Sequence, residues 1–202
     1  MGELWKVTSF VVRGGAEVLL LRHPTAGVQF PAGTVEAGET PEAAARREAA
    51  EETGLGGFGP ARAAGELAER LAPPLWATAE TAPVLFTPGA VDRSWATLRR
   101  GLAVTGEREA DGFVQVTYEE FDRLPDPRFV SFRLTGWVAA AALTRTRRRF
   151  FFVLPFAGEA PDAWDHAADG HVWRLFWAPV NALPALIPPQ DAWAPYLTAA
   201  LA

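Results

Sequence analysis

The chain has 202 residues, of which 49% are hydrophobic, and these include eight Trp and thirteen Phe. Such a chain suits one domain with an insertion, or two small domains, with a sizeable core. A formal net charge of −5 argues against a nucleic-acid partner, because no broad basic field is available for phosphate backbones. Cysteine is absent, which excludes disulfides.

Targeting and membrane signals are not apparent in the sequence. The N-terminus has no basic region followed by a long apolar core, so we expect no signal peptide. The longest apolar runs fall far short of the ~20 residues that a spanning helix needs. We therefore expect no membrane partner and a cytoplasmic location.

Two strands are predicted near the N-terminus, at residues 6–12 and 17–23, separated by an Arg-Gly-Gly turn. A short loop then leads into a glycine- and glutamate-rich segment, residues 33–55. That segment packs six glutamates and two arginines together. In most proteins such a run of charge is only a solvated face, so the spacing of the residues decides its meaning.

The charged segment predicts a helix. Thr40 can cap the first amides through its hydroxyl, and Pro41 suits the first helical position. The following residues are almost all Ala, Glu and Arg, which are strong helix formers, and Gly54 suits a left-handed C-cap. Ala45 and Ala49 give a short apolar face that can lie close against a sheet.

Three carboxylates share one face of this helix. At 100° per residue, Glu48, Glu51 and Glu52 fall within an arc of about 100°. Arg47 can reach Glu51 at i+4, but the cluster has too few positive partners. A hard divalent cation such as Mg²⁺ would supply them. A zinc-type site at the helix is disfavoured, because Cys is absent and the three histidines are distant in sequence.

The spacing resembles the signature box of the Nudix hydrolases. That box is a glycine, five residues, a glutamate, seven residues, Arg-Glu, an apolar residue, any residue, Glu-Glu, any residue, a glycine and an apolar residue. Its positions are filled here by Gly33, Glu39, Arg47, Glu48, Ala49, Glu51, Glu52, Gly54 and Leu55. Ala49 is a weak choice for its apolar position.

The resemblance implies a metal site and a reaction. Glu48, Glu51 and Glu52, with the carbonyl of Ala32, resemble the family's ligands to Mg²⁺, with Mn²⁺ as the other candidate. The reaction implied is hydrolysis of a nucleoside diphosphate linked to another group, in which water attacks phosphorus. Glu51 and Glu52, which would orient the water, and Arg47 are the catalytic residues that the box suggests.

The other box residues have structural roles by the same resemblance. Gly33 would allow a tight turn, and Gly54 would end the helix. Glu39 and Arg47 would brace the motif through a salt bridge that holds the carboxylates in orientation.

The closing half of the domain is predicted only at residues 147–158 and 171–186, which read as strands, with a last helix in 191–202. We therefore expect an α/β fold, a Nudix-type α/β/α sandwich with a mixed β-sheet. Its discontinuous domain would comprise residues 1–60 and 147–202.

Residues 75–145 are predicted to be an inserted β-rich subdomain. A Gly-Leu-Ala-Val strand, a charged turn at 107–112, an alternating strand at 113–118 and a Gly-Trp-Val strand end resemble a small Src-homology-like barrel. An ordinary extra meander packed on the core is the equal alternative. Either could form a lid or a contact in a homodimer.

A general base is expected from the loop 158–171. Its candidates are Glu159, Asp162, Asp165, His166, Asp169 and His171. In several relatives a glutamate stands about six residues before the late tryptophan, and counting back from Trp177 reaches His171. A histidine can act as a base at neutral pH, so His171 is our candidate, with a surface-loop role as its alternative. His23 is expected to be only a strand-end residue.

Three further questions stay open in the sequence. The arginines at 145 and 147–149 suit a solvated segment or a phosphate contact. Trp76, Phe30 and Trp164 suit core packing or stacking on a nucleotide base. A Nudix-fold sensor that binds a nucleotide without turnover is the rival to a hydrolase, but such proteins usually lose box glutamates. An isopentenyl diphosphate isomerase is disfavoured, because its chemistry needs a cysteine.

Overall fold

The computed structural model describes residues 2–168 and 170–202. The strands are β1 Leu4–Arg13, β2 Glu17–His23, β3 Gly27–Gln29, β4 Ala32–Thr34, β5 Arg62–Arg70, β6 Leu75–Thr78, β7 Ala82–Leu85, β8 Ser94–Leu98, β9 Ala103–Ala110, β10 Phe113–Phe121, β11 Val130–Ala139, β12 Leu143–Thr144, β13 Thr146–Pro155, β14 Ala163–Ala168 and β15 His171–Pro179. The helices are α1 Pro41–Thr53 and α2 Ala194–Leu201, and 3₁₀ turns lie at Val91–Arg93, Ala140–Ala142, Val180–Ala182 and Gln190–Trp193.

The chain divides into two compact units. The core unit comprises residues 6–67, 123–126 and 149–202. The insert unit comprises residues 68–122 and 127–148 together with the N-terminal residues through Trp5.

The strands around the predicted box belong to an eight-stranded sheet of order β14-β15-β2-β1-β13-β5, with β3 paired to β2 and β4 to β1. Strands β1 and β2 are antiparallel. The carbonyl of Val7 accepts from the Arg149 side chain and that of Val12 from the Phe156 amide, so β1 and β13 run in the same direction. The sheet is therefore mixed, as predicted.

Helices cover both faces of this sheet. Phe10 and Val12 of β1 share a hydrophobic cluster with Leu197 of α2. Val11 of β1, which points to the other face, shares a cluster with Ala49 of α1. Burial on both faces explains the unbroken apolar runs at residues 10–12 of β1 and 18–21 of β2. The mixed α/β fold expected from the sequence, with a sheet between two helices, is confirmed.

The insert unit contains a seven-stranded sheet of order β12-β6-β9-β10-β11-β7-β8. It has a hydrophobic core of its own, which includes Val116, Leu98 and Leu143. The predicted charged turn at 107–112 is too long, since residues 107–110 continue β9 and the turn is Asp111-Gly112, where both residues have positive φ. The resemblance to a small barrel stays a prediction.

Element predictions near the termini mostly agree with the structure. The two N-terminal strands, the strand near 147–158 and the final helix are confirmed. The predicted loop 158–171 is wrong in its middle, because β14 pairs antiparallel with β15 there. Across the described residues, the helices are all too short or too polar to span a bilayer.

Candidate functional site

Helix α1 is capped at both ends as the sequence predicts. The hydroxyl of Thr40 accepts a hydrogen bond of 3.2 Å from the amide of Ala43, and Pro41 follows in the first turn. At the other end Gly54 has a φ of 71°, and its amide donates to the carbonyl of Ala50 at 2.9 Å. These local contacts fix where the glutamate-bearing turns begin and end.

The small residues of α1 fix its distance from the sheet. Ala44, Ala45 and Ala49 are fully buried. The hydroxyl of Ser9, on β1, donates to the carbonyl of Ala45 at 2.7 Å. Larger side chains would push the helix away, so the alanines keep the carboxylates of α1 next to β4.

Two of the three box carboxylates are turned towards β4. Glu48 Oε1 accepts from the amide of Thr34 at 3.0 Å, and Glu52 Oε2 accepts from the amide of Ala32 at 2.9 Å. Only 14% of the Glu48 side chain is exposed, and Glu52 is buried. Backbone amides therefore orient both carboxylates.

Gly33 makes room for Glu48. A Cβ atom on this glycine would lie 1.9 Å from the carboxyl carbon of Glu48, a distance that no real structure allows. The expected tight turn at Gly33 is wrong, because Gly33 lies within β4 and pairs with Val7 of β1. The requirement for glycine here is close approach of a carboxylate to the backbone.

Arg47 joins the box together. Its guanidinium contacts Glu39 twice at 3.0 Å, which confirms the predicted salt bridge. It also lies 3.1 Å from carboxylate oxygens of Glu48 and Glu51, and it donates to the carbonyl of Thr34. One cation thus braces the loop before α1 and two of the clustered carboxylates.

Protonation in the box follows burial and this arginine. The hydrogen bond from Arg47 lowers the pKa of Glu39. Burial raises the pKa of Glu48, and the nearby charge of Arg47 and the amide of Thr34 only partly oppose it. Arg47 and the amide of Thr34 therefore compensate the burial of the Glu48 carboxylate only in part.

The carboxylates have not converged on one point. Among residues 2–168 and 170–202, no group of three His, Asp or Glu side chains lies close enough to hold a metal ion. A carboxylate has about four acceptor positions, so the hydrogen bonds on Glu48 and Glu51 leave capacity for a cation. The donor chemistry, which is all oxygen, fits a hard divalent ion.

Strand β14 brings two aromatic rings to the end of α1. The indole of Trp164 donates to the carbonyl of Thr53 at 3.1 Å, and His166 Nε2 lies 2.9 Å from the carbonyl of Glu51. The prediction of a loop over residues 158–171 did not place these two rings beside α1. The alternation in Ala163–Ala168, which places Trp164 and His166 on one side of a strand, was the available signal.

His171 lies at the start of β15 beside another histidine. Its ring centroid is 4.5 Å from that of His23, which in turn is 4.8 Å from Trp173. His23 is the last residue of β2, as expected. Among the described residues, the ring and hydrogen-bond contacts of the site bring His166, not His171, to the glutamate-bearing helix.

Other acids of the predicted base segment have different partners. Asp165 pairs with Arg174 at 3.2 Å, and Asp162 pairs with Arg13 at 2.9 Å. Asp169 lies outside the described residues.

Comparison with known proteins agrees with the box geometry. Residues 4–74 match the family model described as the NUDIX domain. The stretch from β1 through β5 is therefore similar to a NUDIX domain. The matched residues include the whole of the glycine- and glutamate-rich box. The curated proteins provide no match. A crystal structure of a NUDIX-family hydrolase from Clostridium perfringens is similar to the chain at 15% identity and a TM-score of 0.40, covering 98% of each chain.

Arginines and aromatics outside the Nudix box serve internal contacts. Arg147 pairs with Glu69 and Arg148 with Glu3, while Arg149 is buried over the ring of Trp193. Arg145 stacks on Trp76, which is buried in the insert core. These contacts do not favour a phosphate-binding role for the arginine run.

Two of the three aromatics considered for stacking on a nucleotide base are core residues. Trp76 is 7% exposed and Phe30 is 1% exposed, so the prediction that either ring stacks on a nucleotide base is wrong. Trp164 is half-buried, and its indole is held by the hydrogen bond to the carbonyl of Thr53 at the end of α1.

Proposed function

We propose that the chain is a metal-dependent pyrophosphohydrolase. Its substrate would be a nucleoside diphosphate linked to another group, as in a nucleotide sugar, a dinucleoside polyphosphate or a nucleoside triphosphate. One observation carries the proposal: Glu48 occupies the space that Gly33 leaves open, on the helix face that also bears Glu51 and Glu52. A cytoplasmic location and a homodimer are part of the proposal and rest on sequence alone.

The metal would be Mg²⁺ or Mn²⁺, held by Glu48, Glu51 and Glu52 with the carbonyl of Ala32. These are oxygen ligands, which hard divalent cations prefer. When bound, the cation would polarise phosphoryl oxygens, lower the pKa of water and neutralise developing charge. The raised pKa of Glu48, caused first by burial, supports a cation in this place.

The chain's own residues would orient the reactants. Arg47 holds the carboxylates of Glu48 and Glu51 on one side of α1 and offsets the repulsion between their charges. Glu51 is the exposed member, with 59% of its side chain open to solvent, so it is best placed to meet a substrate or a water molecule. His171 remains our candidate for the general base, and Glu51 or Glu52 is the alternative.

Turnover of a substrate panel tests the proposal. Nucleotide sugars, dinucleoside polyphosphates and nucleoside triphosphates should be assayed with Mg²⁺, with Mn²⁺ and with a chelator. We expect hydrolysis only with a divalent cation, and a loss of about 10²- to 10⁴-fold in kcat for Glu51→Gln or Glu52→Gln. Glu42→Gln is the matched control, since Glu42 lies on the same helix and pairs with Arg46.

The outcomes separate the enzyme from its rival. A parent protein that binds one of these nucleotides but hydrolyses none with either cation would be a sensor. Undiminished hydrolysis after chelation would contradict the metal mechanism.

A further inference from the structure

The last turn of α1 carries the residues that the proposed function depends on most. Glu51 and Glu52 lie within its final three positions. The last four carbonyls of any helix have no partner inside the helix, and Lys, Arg or His often supplies one. The last turn of α1 contains no basic residue. The amide of Gly54 serves the carbonyl of Ala50, whereas the carbonyls of Glu51 and Thr53 take their donors from elsewhere in the fold.

Strand β14 supplies two such donors. Trp164 and His166 are two residues apart on a strand, so their side chains emerge on the same face. The indole N–H of Trp164 donates to the carbonyl of Thr53, and His166 Nε2 bonds the carbonyl of Glu51. Because a carbonyl oxygen only accepts, Nε2 must carry the proton.

The histidine ring also packs closely against the end of the helix. A Cβ atom on Gly54 would be 2.9 Å from two atoms of the His166 ring. Gly54 therefore has two roles: it is the left-handed C-cap of α1, and its lack of a side chain leaves space for the His166 ring. Any larger residue would displace the ring from the carbonyl of Glu51.

We propose that Trp164 and His166 are positioning residues for the metal-binding turn of α1. Both donors grip backbone atoms of the last turn, and one of these atoms belongs to Glu51 itself. Fixing this backbone fixes the direction in which Glu51 and Glu52 leave the helix. The inference rests on the proposed function, since it concerns how tightly those carboxylates hold a divalent cation.

Four variants of the full-length protein test the inference. His166→Leu and Trp164→Phe each remove one ring donor while keeping an apolar side chain. His166→Gln keeps an N–H near the position of Nε2. Trp173→Phe is the matched control, because the Trp173 indole is a donor in the same hairpin but bonds the carbonyl of Ala168, not the helix. Binding of Mn²⁺ alone is measured by electron paramagnetic resonance, and kcat and KM are measured on the best substrate.

We expect His166→Leu and Trp164→Phe to weaken Mn²⁺ binding about 10- to 100-fold, as loss of an orienting partner does at metal sites. His166→Gln should recover most of the affinity, and Trp173→Phe should match the parent. At saturating Mn²⁺, kcat should fall while KM changes less than about twofold, because the substrate contacts remain.

Three results would overturn the inference while leaving the proposed function intact. The first is an unchanged Mn²⁺ affinity in both His166→Leu and Trp164→Phe. The second is an equal loss of Mn²⁺ affinity in the control, Trp173→Phe. The third is no recovery of Mn²⁺ affinity in His166→Gln, which would mean that the imidazole itself is needed. A parent protein that binds no Mn²⁺ would instead overturn the proposed function and this inference together.

Discussion

At the scale of single residues, the site depends on one missing side chain. Gly33 has no Cβ, and the carboxylate of Glu48 fills that space while it accepts the amide of Thr34. This arrangement brings a mostly buried carboxylate against backbone atoms, which costs free energy unless donors or a cation compensate. The amide and Arg47 compensate in part, and a cation would complete the compensation.

Gly33→Ala tests this packing. We expect it to displace Glu48, to lower stability by about 2 kcal/mol through overpacking, and to abolish Mn²⁺ binding. Gly56→Ala is the control, because no atom lies within 4 Å of a Cβ at that glycine. Thermal unfolding and Mn²⁺ titration check both variants. Normal Mn²⁺ affinity in Gly33→Ala would show that Glu48 is not a ligand.

The pair of His23 and His171 predicts a pH dependence of stability. Burial lowers the pKa of His23 below its ordinary value of 6.5, and the charge of His171 lowers it further. The amide of Thr25 donates to His23 Nδ1 at 3.0 Å, which requires that nitrogen to be unprotonated. A lowered folded-state pKa means that the unfolded chain binds the proton more readily, so the stabilising contribution holds above pH 6.5 and is lost as pH falls.

We therefore expect the melting temperature of the parent protein to drop between pH 7.5 and pH 5.5 by more than that of His23→Asn. An asparagine oxygen can still accept from the Thr25 amide but does not titrate. Differential scanning calorimetry at the two pH values measures the difference. Parallel curves for the two proteins would show that His23 binds its proton equally well in the folded and unfolded states, which would contradict the lowered folded-state pKa.

The proposed role of His171 as general base makes a separate prediction. His171→Ala should lower kcat and kcat/KM together by about 10²- to 10⁴-fold and change the pH profile of the rate. Steady-state rates across pH measure both effects. A fall of less than about threefold, with an unchanged pH profile, would make the histidine a bystander. The base would then be sought in Asp165, in Asp169 or in the box glutamates.

At the scale of elements, Arg47 ties α1 to the loop that precedes it. The guanidinium contacts Glu39 on the loop, Glu48 on the helix and the carbonyl of Thr34 on β4. Glu39 and Glu48 are only 16% and 14% exposed, so their charges are poorly screened without this cation. The planar fork of arginine serves several acceptors at once, which an ammonium group does not.

Arg47→Lys should therefore destabilise the protein by about 2 kcal/mol, despite keeping the charge. The double variant with Arg47→Lys and Glu39→Gln should lose less free energy of unfolding than the two single variants lose together. The difference, which is the coupling energy, should be about 1–2 kcal/mol. Urea unfolding of the four proteins in the double-mutant cycle gives this coupling. Simple additivity would mean that the loop and the helix are held together by other contacts.

The difference between α1 and β14 shows what the sequence could and could not reveal. Helix α1 was predictable because its caps, its alanine face and its spaced glutamates are all local in the chain. The alternation in β14 is a local signal of a strand, but the partners of that strand could not be predicted, because its hydrogen bonds go to β15 and its rings bond a helix more than a hundred residues away. The role of Gly33 was missed for the same reason, since the carboxylate that needs the space comes from α1.

At the scale of the whole molecule, the second sheet is formed by the part of the chain that lies between two strands of the first. The strands β5 and β13 are neighbours in the eight-stranded sheet, and the chain between them forms the second sheet. The amide of Leu71 donates to the carbonyl of Arg145 at 2.7 Å, so the two ends of the insertion meet. The two sheets also have separate hydrophobic clusters, without a shared residue.

Replacing residues 72–144 with a short Gly/Ser linker is the prediction that follows. Because Leu71 and Arg145 are already hydrogen-bonded, the linker needs to span only a few ångströms, and closing a short loop costs little. One known loss is the bond from the amide of Leu124 to the carbonyl of Thr25, worth about 1 kcal/mol. We expect a soluble protein that retains α1 and the Mn²⁺ affinity of the parent, but with a changed substrate preference or oligomeric state. Circular dichroism, Mn²⁺ titration, the substrate panel and light scattering measure these properties.

If the shortened chain is insoluble with Gly/Ser linkers of several lengths, the insert is required for folding of the core unit. If it folds and matches the parent in mass and in every kcat/KM, the insert contributes neither to specificity nor to assembly.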